Sequence, residues 1–91
     1  MREWELPFQE EADQAKITLD FERACSSLGL TINRLVLKKY PGCTHWHLTL
    51  PPNKGTLEAT LLPSSKRFWL SVHTNRSADW QDDVIKLLVG S

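Results

Sequence analysis

The sequence predicts a single small α+β domain, residues 1–91, in which a helix, a four-stranded antiparallel meander and a second helix follow one another, with both helices on one face of the sheet. Three observations support this class: apolar residues at helical spacing near each end, four alternating runs between them, and turn-forming residues in the connections. The 41% apolar and 24% charged fractions are typical of a globular protein with one modest core. We expect residues 1–8 to be extended or flexible.

An amphipathic helix is predicted over residues 9–28, and its pattern is most regular from Leu19 onward. Asp13 or Thr18 can cap it, and Gly29 ends it because glycine tolerates the left-handed conformation found after helices. Spacings of three and four place its apolar residues on one face. These residues are Ile17, Phe21, Ala24, Cys25 and Leu28.

Four strands are predicted between the helices, over residues 31–40, 44–50, 56–62 and 67–73. The connections are short and rich in Pro, Gly, Asn and Ser, which favours an antiparallel meander. Alternation assigns one apolar set to the core. Its members are Trp46, Leu48, Leu50, Leu57, Ala59, Leu61, Phe68, Leu70 and Val72.

The second helix is predicted to begin after Ser77 as its cap, with Asp79 in the first turn, where a negative charge interacts favourably with the helix dipole. Gly90 closes it. Its apolar positions are Trp80, Val84, Leu87 and Leu88.

The formal net charge of zero hides three blocks of different sign. Residues 1–24 hold seven acids and three bases, a net −4; residues 25–76 hold seven bases and one acid, a net +6; and the rest holds three acids and one base, a net −2. The basic middle can therefore meet an anionic partner or be neutralised by its own flanks.

The opposite face of the sheet carries an unusual set of side chains. If the short connections set the register, His47 lies beside Glu58 and Glu58 beside Ser71, while His45, Thr60 and Trp69 form the next row. With the helices on the other side, we expect this face to be open to solvent or covered by a partner. Alternatively, Trp69 packs against the N-terminal segment and the histidines are ordinary surface groups.

These residues favour a small non-catalytic binding or adaptor protein that uses a basic, aromatic, histidine-containing face. Trp69 would offer a flat apolar platform, and cationic side chains would hold an anionic partner. The partner would be an acidic protein, a second copy of the chain in a homodimer, or nucleic acid, whose bases stack on sheet aromatics. The predicted binding residues are Arg67, Trp69, His73, His45, His47, Lys38, Lys39 and Lys66.

A metal site is a further alternative. His45 and His47, two positions apart on a strand, project side by side and can offer two imidazoles to one ion. Cys43 continues this series, and Glu58 or His73 can complete the ligand set. Apart from this alternative, we expect no metal and no cofactor.

The other function classes are disfavoured. Two pairs could supply a nucleophile and a base, Cys43 with His45 and Ser71 with His73, but neither has a third group to orient the base. The four glycines stand singly and do not form a phosphate-binding loop. We therefore expect a non-enzyme. The amino terminus lacks an apolar signal segment, no membrane contact is expected, and two cysteines do not make a disulfide framework, so we expect a soluble cytoplasmic protein.

The order of elements resembles the double-stranded RNA-binding fold, in which two helices flank a three-stranded meander. That family begins its second helix with phosphate-gripping lysines. Here the same place reads Ser77-Ala78-Asp79-Trp80-Gln81-Asp82-Asp83, whose negative charge repels phosphate. The resemblance is therefore one of topology, and it does not extend to the residues that bind RNA.

Overall fold

A computed structural model describes residues 1–90 and shows a small α+β domain with two α-helices and a five-stranded antiparallel sheet in that part of the chain. The predicted class is confirmed, and the predicted four strands are corrected to five. The strands are β1 Arg2–Glu5, β2 Thr31–Leu35, β3 Thr44–Thr49, β4 Leu57–Leu62 and β5 Arg67–Val72; the helices are α1 Gln14–Ser27 and α2 Trp80–Val89. Strand order across the sheet is β1-β5-β4-β3-β2.

The additional strand is β1, which the sequence left outside the sheet. It pairs antiparallel with β5, so that Glu5 lies opposite Trp69, and the backbone N–H of Leu6 donates to the carbonyl of Phe68 at 2.7 Å. β1 thereby occupies an edge of β5 that would otherwise leave its hydrogen-bonding groups unpaired. The chain then crosses by α1 to the opposite edge, where β2 begins the predicted meander.

The first strand of the meander is shorter than predicted. β2 ends at Leu35 instead of continuing to residue 40. The chain turns at residues 37–43, where the N–H of Cys43 donates to the carbonyl of Tyr40 at 3.1 Å and Gly42 takes a φ of +82°. This turn carries Tyr40 back over the outer face of the sheet.

Both helices begin later than predicted. Asp13 is the cap of α1, since its side chain accepts from the N–H of Lys16 at 2.7 Å. Ser77 does not cap α2, which begins at Trp80. Gln81 explains the shift, because its side-chain oxygen accepts from the N–H of Ala78 at 3.1 Å and so binds a backbone donor ahead of the helix.

The core lies between the helices and the sheet face assigned to it by alternation. Eight of the nine predicted core residues belong to one buried cluster, Leu50 is partly buried against it, and Trp69 lies outside it, which confirms the predicted parity. Phe21 of α1 lies 4.8 Å from Trp46 and 5.0 Å from Phe68 between ring centroids, and Val84, Ile85 and Leu88 of α2 belong to the same cluster.

Cys25 is fully buried in this core, and burial, assisted by the nearby negative charge of Glu22, raises the pKa of its thiol to about 12. Cys43 is also a free, buried thiol. Neither α1 nor α2 is long and apolar enough to cross a membrane.

Candidate functional site

The register of the outer face is the predicted one. His47 pairs with Glu58 and Glu58 with Ser71, while His45 pairs with Thr60 and Thr60 with Trp69. Since alternate residues of neighbouring strands share a face, these side chains form two adjacent rows on the side away from the helices. The candidate residues of three strands are thus brought together.

The centre of this face is buried, contrary to the expectation that it is open or awaits a partner. Trp69 is 5% exposed, His45 4% and Glu58 7%. The cover comes from the chain itself: the ring of Tyr40 meets the indole of Trp69 edge-on at 5.9 Å, and the guanidinium of Arg67 lies 4.1 Å above it. Trp69 is therefore a packed side chain and not an exposed platform.

We call Tyr40, Arg67 and Trp69 the tryptophan corner. Its positive charge is neutralised by β1, because Arg67 donates to Glu5 at 2.6 Å and lies 3.9 Å from Glu3. The hydrogen bond with Glu5 raises the pKa of Arg67 above its ordinary value. The acidic amino-terminal block thus compensates the basic middle within one chain.

The predicted lysines do not gather around this corner. Lys66 pairs with Glu10 at 3.5 Å across the surface. Lys39 places its ammonium 5.4 Å from the ring centroid of Tyr40, and Lys38 is exposed in the same turn. Of the predicted cationic contacts, only Arg67 and Lys39 reach the aromatic residues.

A second group on the same face, which we call the histidine cluster, consists of His45, His47, Glu58 and His73. The Nε2 atoms of His45 and His47 lie 3.0 Å and 3.6 Å from Oε1 of Glu58, and Nε2 of His73 lies 3.1 Å from Oε2. Three imidazoles therefore converge on one carboxylate whose side chain is 10% exposed. His73, just beyond the end of β5, is itself half-exposed.

His45 is held at both ring nitrogens. Its Nδ1 lies 2.8 Å from Oγ1 of Thr60, and its Nε2 faces Glu58. Burial lowers the pKa of His45 below its ordinary value of 6.5, against the opposing effect of the Glu58 charge, so this imidazole favours its neutral form. The Thr60 hydroxyl both donates and accepts, and so it can hold either neutral tautomer.

The donor atoms of His45, His47 and Glu58 fit the separations of a metal site. All three lie within 4.8 Å of one another. A tetrahedral zinc ion with bonds of about 2.0–2.2 Å keeps its ligand atoms roughly 3.3–3.6 Å apart, so small side-chain rotations would close the set around an ion. With the proton on Nδ1, His45 would donate to Thr60 and direct its Nε2 lone pair to the ion, as metal-bound histidines do.

Sequence reasoning missed Glu5 and Asn75, and it named Arg76 only as a possible phosphate contact in nucleic-acid binding. Glu5 neutralises Arg67 only because β1 joins the sheet. Asn75 and Arg76 line the same open cleft as His47, Glu58 and His73, although neither belongs to a strand. The alternation of charged and apolar residues over Glu3-Trp4-Glu5-Leu6 was a signal for β1, but no local pattern places Arg76 beside the histidine cluster.

Comparisons with models of protein families, with curated proteins and with solved structures find no match to this chain. The two groups on the outer face are therefore the features of this chain that bear on its function.

Proposed function

We propose that this chain is a small metal-binding protein whose histidine cluster holds one divalent transition-metal ion through Nε2 of His45, Nε2 of His47 and Oε1 of Glu58. The observation that carries the proposal is the convergence of two imidazole nitrogens on a single oxygen of a buried carboxylate. Imidazole with carboxylate suits zinc and its neighbours in the first transition series.

Charge and burial also support this function. Glu58 places a negative charge on a covered sheet face, and the imidazole nearest to it favours the neutral form. A cation bound between them would compensate the carboxylate, with the proton of His45 on Nδ1 so that Nε2 offers its lone pair to the ion.

His73 has a supporting role in this proposal. Its Nε2 faces Oε2 of Glu58, the oxygen that the other two histidines do not contact. By donating there, His73 would orient the carboxylate and leave Oε1 for the ion, which is the usual role of outer hydrogen bonds around a metal.

The alternative functions depend on features that the tryptophan corner lacks. Base stacking needs an accessible indole, but Trp69 is covered by Tyr40 and Arg67. Arg67 and Lys66, two of the cations predicted to hold an acidic partner, already pair with the chain's own glutamates. No contact in residues 1–90 favours either function over metal binding.

The test is calorimetric titration of untagged, chelator-treated protein with Zn²⁺, followed by Co²⁺ as a coloured substitute. We expect one ion per chain, with visible absorption from the Co²⁺ form. Glu58→Gln and His47→Gln should each weaken binding by at least about tenfold. Glu11→Gln, an exposed carboxylate away from the cluster, is the matched control and should bind like the unaltered chain.

A stability measurement provides a second readout. Zn²⁺ at about 100 times its dissociation constant adds about 2.7 kcal/mol to the free energy of unfolding, which for a domain of this size raises Tm by roughly 10–20 °C. Glu58→Gln should lose most of this shift at the same Zn²⁺ concentration. Failure of the unaltered chain to bind stoichiometric Zn²⁺ or Co²⁺ would reject the proposal, and the cluster would then be a carboxylate satisfied by three imidazole donors.

A further inference from the structure

The mouth of the histidine cluster carries a cation that the proposed metal site does not use. Arg76 lines the open cleft together with Asn75, His47, Glu58 and His73. Within residues 1–90, no carboxylate lies within ion-pair distance of its guanidinium, whereas Arg67 pairs with Glu5.

The backbone of Arg76 is fixed on three sides. Its N–H donates to the carbonyl of His73 at 2.9 Å, and its own carbonyl accepts from the N–H of Thr56 at 3.1 Å and from Nε2 of Gln81 at 2.9 Å. Gln81 is fully buried, so this turn is anchored to α2 as well as to the chain just before β4.

The packing of Gly55 keeps this turn close to β4. Gly55 has a φ of +102°, and a Cβ at this position would lie 3.0 Å from the carbonyl oxygen of Arg76 and 2.7 Å from Cβ of Ala78. Only glycine fits so near a neighbouring backbone. The turn that carries Arg76 is thereby held beside the strand that carries Glu58.

We infer that the metal-loaded histidine cluster binds a phosphate group, free or as a monoester, with one phosphate oxygen on the ion and another on the guanidinium of Arg76. This inference rests on the proposed metal site. Three protein ligands leave a position on a tetrahedral ion for an exogenous ligand. The planar guanidinium presents paired N–H donors that match the oxygens of phosphate, and the amide of Asn75 can add a further donor.

Charge balance favours an anion in this position. A divalent ion bound to Glu58 and two neutral imidazoles leaves a net positive centre, and Arg76 adds another positive charge at the mouth. Phosphate compensates both charges. Without the metal, the Glu58 carboxylate faces the same cleft and repels an anion, so phosphate binding should depend on the ion.

The test uses inorganic phosphate and methyl phosphate as probes, titrated into protein loaded with one equivalent of Co²⁺ and into the metal-free protein. Changes in the visible spectrum report the ion, and calorimetry reports affinity. We expect a spectral change and saturable binding of both probes only with the metal present. Binding of inorganic phosphate alone would restrict the site to the free ion, which still supports the inference.

Two arginine variants separate this inference from the proposed function. Arg76→Gln should weaken phosphate binding by about ten- to a hundredfold, as expected for the loss of a charged hydrogen-bonding partner, and should leave Co²⁺ affinity unchanged. Arg23→Gln, an exposed arginine on α1, is the matched control and should alter neither.

The possible failures are distinguishable. Co²⁺ binding without a phosphate response, equal phosphate binding by metal-free protein, or unaltered phosphate affinity in Arg76→Gln would each overturn the inference while leaving the metal site intact. Absence of Co²⁺ binding would overturn both.

Discussion

The tryptophan corner and the histidine cluster lie on the same face of the same sheet, yet their polar groups are satisfied differently. In the tryptophan corner, Arg67 pairs with Glu5 and covers Trp69, so the positive charge and the aromatic surface are compensated by the chain itself. In the histidine cluster, three imidazoles share one carboxylate, and one side opens to a cleft lined by Arg76, whose guanidinium has no ion-pair partner among residues 1–90.

The difference shows that residue type alone does not identify a binding surface. Arginine beside tryptophan is typical of recognition sites. Here, however, the edge strand β1 places Glu3 and Glu5 beside the guanidinium of Arg67. Several imidazoles can likewise satisfy one carboxylate by donating hydrogen bonds to it. When the proton of an imidazole moves to its other ring nitrogen, however, the nitrogen that faces the carboxylate becomes a metal ligand. We therefore propose the histidine cluster, and not the tryptophan corner, as the group that binds a further partner.

The largest effect that tests this contrast is expected from Trp69→Ala. Because the indole is 5% exposed and is covered by Tyr40 and Arg67, its removal should lower the free energy of unfolding by roughly 3–5 kcal/mol in urea denaturation. Val36→Ala is the control, since Val36 is 81% exposed and its truncation should change stability by less than about 0.5 kcal/mol.

A loss below about 1 kcal/mol in Trp69→Ala would contradict the closed tryptophan corner. It would instead agree with the sequence-based hypothesis that Trp69 is an exposed platform whose removal leaves the fold intact. The packed and the exposed descriptions of Trp69 therefore predict losses in the free energy of unfolding that differ by several kcal/mol.

The inner face of the sheet was predictable from the sequence because alternation is a local property. Trp46, Ala59 and Leu70 occupy facing positions on three strands, and short connections allow only a register that keeps apolar residues together. The same register placed His47 beside Glu58 and His45 beside Thr60. The rows of the candidate site were therefore predictable, although the hydrogen bond between His45 and Thr60 was not.

The cover of the outer face was not predictable, because it depends on contacts between distant segments. Tyr40 reaches Trp69 only because β2 stops at Leu35, and the alternation of residues 31–40 gave no sign of this end. β1 is a short edge strand whose stability comes from its pairing with β5. Arg76 lies at the cleft because its turn packs against Gly55, and no periodic sequence pattern indicates such a contact.

An intermediate effect is expected from pH in the metal-free protein. Folding lowers the pKa of His45 below its ordinary value of 6.5. At a pH between the folded-state pKa and 6.5, the unfolded chain therefore binds a proton that the folded chain does not. The free energy of unfolding should therefore fall as the pH drops below about 6.5, with a slope from this group of up to about 1.4 kcal/mol per pH unit.

His45→Gln removes this titrating group and should flatten the pH dependence of the free energy of unfolding in the same interval. The comparison is made by urea denaturation of both proteins from pH 7.5 downward in the presence of a chelator. Glu58, His47 and His73, the titratable groups that face position 45, are present in both proteins, so the pH dependence that His45→Gln loses is assigned to the imidazole of His45. Parallel curves would contradict the assignment of His45 as a buried neutral group.

The smallest effect is expected from the ion pair that closes the tryptophan corner. Arg67 and Glu5 are 42% and 59% exposed at their side chains, so water and salt screen their attraction. A double-mutant cycle with Arg67→Gln and Glu5→Gln should give a coupling energy of about 0.2–1 kcal/mol that shrinks at 1 M salt. Arg67→Gln should cost somewhat more than that coupling, since it also removes the guanidinium above Trp69. A coupling energy of zero at low salt would mean that Glu5 does not hold Arg67, and the arginine would then be available to an outside anion.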